Sequence, residues 1–114
     1  AHYIIDRDGI IYQIIPENYR GRHTIGLNHT SFGIELVGEN SGVIEKRIND
    51  NTLQIQSAIK LTKYLQSKYS IATENVIGHA EANGSSLFRD ISGKKNDHTD
   101  MAPSLMNKIR NQLK

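Results

Sequence analysis

The chain has 114 residues, 37% of them hydrophobic and 23% charged, with a formal net charge of +2. That is one domain's length, enough to bury roughly 65% of the unfolded surface, and a composition that excludes a disordered or collagen-like chain. The small net charge argues against nucleic acid, no apolar run approaches the roughly 20 residues of a membrane span, and the absence of cysteine excludes both a disulfide framework and a Cys-ligated metal.

Residues 3–5 (YII) form a short apolar run, followed by the turn signal Arg7-Asp8-Gly9. Residues 10–15 (IIYQII) read as a second strand, ended by Pro16. Asp8-Gly9 between two such runs predicts a hairpin. Ile10, Tyr12 and Ile14 would share one face and Ile11, Gln13 and Ile15 the other. With apolar residues on both faces, the pair is expected inside a sheet covered on two sides.

Residues 17–31 break the pattern with glycines and turn formers and read as a functional loop. Residues 32–37 (FGIELV) predict a third strand, with Phe32, Ile34 and Leu36 on one face and Glu35 on the other. A carboxylate in the middle of an apolar strand needs a partner or a role if buried. Residues 39–50 read as polar connection. Asn51, with Gln54 three residues on, resembles a capping box opening a helix over 51–69, with Ile55, Ala58, Ile59, Leu61 and Leu65 on its buried face. Val76-Ile77-Gly78 predicts a fourth strand ending at His79, and Pro103 opens a last helix striped by Met106, Ile109 and Leu113. The expected fold class is α/β, a central mixed sheet flanked by helices.

Chemistry concentrates in residues 76–101. His79 stands on one side of a polar loop and Asp97-His98-Thr99-Asp100 on the other. Imidazole and carboxylate brought together across a loop suit a divalent metal, and a catalytic zinc keeps three protein ligands and one open position. A structural histidine and a solvated turn are the simpler readings of each half alone; together with Glu35 they favour chemistry. For His2 and His23, packing, cleft-lining and surface roles are all open, and His29 reads as a polar loop residue. Lys94-Lys95 and Lys108, Arg110 and Lys114 read as solvated surface.

The ordered pieces AHYIIDRDGIIYQIIPE, GRHTIG, SFGIELVG, VIGHAE and DHTDM resemble the zinc-dependent N-acetylmuramoyl-L-alanine amidases, which share a fold with peptidoglycan recognition proteins. The resemblance covers nearly the whole chain. It implies hydrolysis of the amide joining N-acetylmuramic acid to L-alanine, Zn2+ as cofactor, peptidoglycan or a muropeptide as substrate, and a cell-wall, extracellular or phage-lysis setting. A peptidoglycan-binding module without catalysis is the alternative. The implied metal ligands are His79 and Asp100, the implied oxyanion stabiliser is His98, and Glu35 matches the acid implicated in activating water. Asp100 is followed by Met101-Ala102-Pro103 where the family has Pro-Gly, which leaves His98 and Asp97 as rival ligands. The family's first zinc histidine lies on a strand upstream of the segment containing His2, so the single domain at 1–114 is expected to lack that strand.

Overall fold

The structure is a computed structural model that describes residues 1–18, 31–38, 41–78, 81 and 103–114. Strands β1 (Tyr3–Ile5), β2 (Ile11–Gln13) and β3 (Ile34–Leu36) form a sheet in the order β2-β1-β3, with β1 antiparallel to β2 and parallel to β3. Helices α1 (Ser41–Asp50), α2 (Leu53–Tyr69) and α3 (Pro103–Gln112) complete an α/β fold with a mixed sheet, as the sequence pattern predicts. No helix among the described residues is long and apolar enough to cross a membrane.

The hairpin forms where Asp8-Gly9 predicts it. Asp6 and Ile10 close it through an N–H to carbonyl bond of 3.0 Å, and the Asp8 carboxylate accepts the Ile10 N–H. Gly9 has φ +87°, and a Cβ there would lie 2.9 Å from the Leu53 carbonyl oxygen, so backbone conformation and close approach to α2 both demand glycine. The Ser57 hydroxyl, on α2, bonds to the Gly9 carbonyl at 2.6 Å.

Two buried clusters share α2. Tyr3, Ile5, Ala58, Leu61 and Leu65, joined by Phe32, Ile34 and Leu36, pack one face of the sheet on α2. Ile44, Ile48, Ile55, Leu105, Met106 and Ile109 pack the three helices together, joined by Leu36, Ile59 and Val76. The alternation read for residues 32–37 therefore holds: the even-numbered apolar residues go to the core and Glu35 to the exposed side.

Four expectations are corrected. The first is the sheet covered on both sides: among the described residues β2 is a sheet edge, and Ile10, Ile11, Tyr12 and Ile14 are exposed. Second, residues 41–50 are helix, not connection, because Ile44 and Ile48 recur at i,i+4 and bury one face against α3. Third, Asn51 does not cap α2. It takes a left-handed conformation, φ +50°, which Asn tolerates, and ends α1; Thr52 is the N-cap and makes no side-chain cap bond. Finally, residues 76–78 form no strand among the described residues; Val76 is extended, after a 3-10 turn at Thr73–Asn75.

Gln54, freed from capping, is fully buried and clamps the sheet to the helices. Its amide donates to the carbonyls of Ile5 (3.1 Å) and Val37 (2.8 Å), at the ends of the two parallel strands, and its oxygen accepts Arg47 Nη1. The two Gln54 donors and its acceptor are thus all used, as a buried amide requires.

Glu17 ties the chain after β2 to the end of α2. Its carboxylate accepts the Tyr3 hydroxyl, the Tyr69 hydroxyl at 2.5 Å and Lys68 Nζ at 2.9 Å. These donors, Tyr3 foremost, hold its pKa down to about 2 from an ordinary 4.5. The same contacts raise the pKa of the Lys68 ammonium, which stays charged, while burial first and then Glu17 raises that of the Tyr3 hydroxyl. A carboxylate depressed on folding contributes stability above its unfolded pKa and loses it as pH falls toward the folded value. Between pH 4.5 and 2, urea midpoints should therefore fall more steeply in the wild type than in Glu17→Gln. Equal slopes would show that the Glu17 contacts add nothing to folding.

Candidate functional site

The sheet face away from α2 carries the candidate site. Register pairs Ile4 with Tyr12 on one side and with Glu35 on the other. Since Tyr3 and Ile5 point into α2, the row Tyr12–Ile4–Glu35 crosses all three strands on the opposite face. Glu35 is exposed there, at the middle of β3, so its carboxylate can reach a substrate lying across the strands.

His2, just before β1, anchors that strand. It is 1% exposed; its Nδ1 accepts the Gly33 N–H at 3.2 Å, its own N–H donates to the Gly33 carbonyl at 2.9 Å, and its ring meets Phe32 edge-on, with centroids 5.3 Å apart. Of the roles open to it, packing is the one it takes. By tying Gly33 to β1, it fixes the register that sets Glu35 beside Ile4.

The second half of the site is approached from its flanks. Glu81 accepts the Gly78 N–H on Oε1 (3.1 Å), and its carboxylate takes a two-pronged ion pair from Arg110 at 2.8 and 2.9 Å. Arg110 Nη1 also donates to the Val76 carbonyl, 2.8 Å away. The Arg110 guanidinium, first among several causes, holds the Glu81 carboxyl below its ordinary range. A planar fork paired with a carboxylate fixes orientation as well as distance. The brace pins both 78 and 81, the residues around position 79, to α3. Sequence reasoning missed Glu81 and Arg110 as a pair. Twenty-nine residues separate them, and only an acid two places after a candidate ligand histidine hinted at a partner. Lys108, also read as solvated surface, spans to Glu45 (3.3 Å) and Asn49 (3.0 Å) on α1.

Of the predicted site residues, Glu35 is placed on the open face of the sheet. His79, His98 and Asp100 lie outside the described residues, as do the rival ligand Asp97, the loop histidines His23 and His29, and Lys94-Lys95. Among the described residues no three His, Asp or Glu side chains are grouped to hold a metal.

Comparison with known proteins places this geometry. Mouse (Mus musculus) peptidoglycan recognition protein 3 is 29% identical over 94 residues, which cover 79% of this chain and 26% of that protein. The chain thus spans about a quarter of the length of this curated relative. No solved structure gave a significant match. The family profile described as N-acetylmuramoyl-L-alanine amidase matches residues 1–101, nearly the whole chain, including the β1–β2 hairpin, the Glu35 strand and the segment through His79 and Asp100. The chain belongs to the N-acetylmuramoyl-L-alanine amidase family.

Proposed function

We propose that this domain hydrolyses the amide between N-acetylmuramic acid and the L-alanine of peptidoglycan, with zinc as cofactor. The observation that carries the reading is Glu35: in a chain of this family, it is a carboxylate exposed at the middle of β3, on the sheet face away from α2. His79 and Asp100 would supply two of the three protein ligands of such a zinc, with His98 and Asp97 as rivals of Asp100. The donor chemistry fits, since imidazole nitrogen and carboxylate oxygen are what zinc accepts in the absence of thiolates. When bound, zinc polarises a carbonyl and makes water more acidic. Glu35 takes the proton of the attacking water and delivers it to the leaving amine. His98 donates a hydrogen bond to the oxygen that gains negative charge as the carbonyl is attacked.

A second reading is supported by the relative, which its name describes as a recognition protein: a module that binds peptidoglycan and does not cleave it. One preparation separates the two. Zinc content is measured on the purified chain and on His79→Ala, alongside release of L-alanine peptide from a muropeptide. The hydrolase reading expects about one zinc per chain, lost in the variant, with peptide release that depends on the metal. Tight binding of peptidoglycan without release, whatever the zinc content, would establish the binding module instead.

A further inference from the structure

The end of α2 and the chain leaving β2 border an open cleft of about 420 Å³, lined by Gln13, Glu17, Asn18, Tyr64, Lys68 and Tyr69. It is not part of the Glu35 face. Gln13 pairs in register with Tyr3, whose side chain packs on α2, so the cleft opens on the α2 side of the sheet.

Its chemistry is specific. Among the described residues of the lining the charges are Glu17 and Lys68, and they are paired with each other at 2.9 Å. The described lining is therefore neutral overall. Three of the carboxylate's roughly four acceptor sites are occupied by Tyr3, Tyr69 and Lys68, which leaves one on Oε2. Gln13 and Asn18 are exposed and bring amide donors and acceptors to the rim. Tyr64 is 50% exposed; Lys68 Nζ sits 5.6 Å from its ring centre and 3.2 Å from its hydroxyl, which fixes the ring while leaving much of it open. The Lys68 ammonium also lies 5.4 Å from the Tyr69 ring, and that ring packs against Phe32 with centroids 4.8 Å apart.

We propose that this cleft binds neutral saccharide rings, at a site separate from the Glu35 face. An aromatic face carries negative quadrupole density and attracts the slightly positive C–H face of a pyranose. Neighbouring hydroxyl or acetamido groups need donors and acceptors side by side, which Gln13, Asn18, the Tyr64 hydroxyl and Glu17 offer together. A phosphate or an acidic peptide would meet Glu17, and an apolar ligand would find little apolar wall. Because Glu17, Lys68 and Tyr69 already hold one another, little side-chain entropy is lost on binding. The proposal does not rest on hydrolysis: a site here would hold a glycan in either reading of the Glu35 face.

The test is a titration of the full 114-residue chain, labelled for amide NMR, with a neutral trimer of N-acetylglucosamine and, separately, with a short alanine-containing peptide. Expected are saturable shifts of the Gln13 and Asn18 side-chain amides and of the Lys68–Tyr69 backbone with the trimer only, at a Kd on the order of 1 mM. Tyr64→Ala should weaken that binding roughly 5-fold and Tyr64→Phe much less, both with a native-like spectrum outside the cleft. The proposal is overturned by any of three results: no saturable shift, shifts confined to the Tyr12–Glu35 row, or undiminished binding in a folded Tyr64→Ala. Zinc and turnover do not enter the measurement, so its failure is independent of the hydrolase reading.

Discussion

Glu35→Gln is expected to lower hydrolysis of the muramoyl–alanine amide by about 10²- to 10⁴-fold, the usual contribution of a positioned proton acceptor. Glutamine keeps the size and the planar end of the side chain but cannot take a proton. The substitution should be silent in every other respect. Glu35 belongs to neither buried cluster, its strand is held by backbone bonds to β1, and its side chain is exposed. Surface replacements of this kind stay within about 0.5 kcal/mol of wild-type stability. Zinc content should be unchanged, because Glu35 is not among the proposed ligands. Measured together, turnover, metal content and unfolding midpoint therefore isolate the proton transfer. Turnover at the wild-type rate would remove Glu35 from the mechanism and leave the exposed carboxylate without a role.

Two isoleucines of the hairpin should behave in opposite ways. Ile5 is fully buried against Ala58, Leu61 and Leu65, and Ile5→Ala should cost about 2–5 kcal/mol, the sum of lost transfer energy and a cavity that the sheet and α2 cannot close. Ile14 lies just beyond β2 and is 56% exposed. Its truncation should cost less than about 1 kcal/mol, mainly through lost strand preference. Denaturant midpoints at constant slope read both values. A loss at Ile14 as large as at Ile5 would mean that the outer face of β2 is covered in solution, which is what the hydrophobic pattern alone predicts and the structure denies.

That contrast shows how far the pattern could be read. Residues 3–5 and 10–15 are equally apolar, and nothing local says that one run lies at the centre of the sheet and the other at its edge. Strand order, set by the pairing of β1 with both β2 and β3, decides it. The helix over 41–50 escaped notice because its buried stripe is essentially Ile44 and Ile48, too short to rise above a polar background. Missing that helix led in turn to the wrong role for Asn51, which ends α1 where the local signal suggested the start of α2.

In the candidate site, alternation alone put Glu35 on the side opposite Phe32, Ile34 and Leu36, and the structure agrees. Its neighbours Ile4 and Tyr12 were not legible, since alternation names the faces of each strand and only register says which residues lie side by side. His79, His98 and Asp100 remain readings from motif and resemblance.

The sequence by itself determined the α/β class, the hairpin at Asp8-Gly9, the buried face of α2, Met106 and Ile109 on the buried face of α3 (where Leu105 takes the place expected of Leu113), the polarity of β3 and the amidase family, because each rests on local periodicity, turn chemistry or an ordered set of motifs. Only the tertiary structure decided the contacts between residues distant in the chain: Gln54 clamping the ends of β1 and β3, Arg110 bracing Glu81 beside position 79, and Glu17 gathering Tyr3, Lys68 and Tyr69 around the cleft. A polar side chain carries no mark of its partner when 14 to 52 residues separate them. Packing selects the partner, since a polar group drawn into the interior must be satisfied by whatever the fold brings within reach.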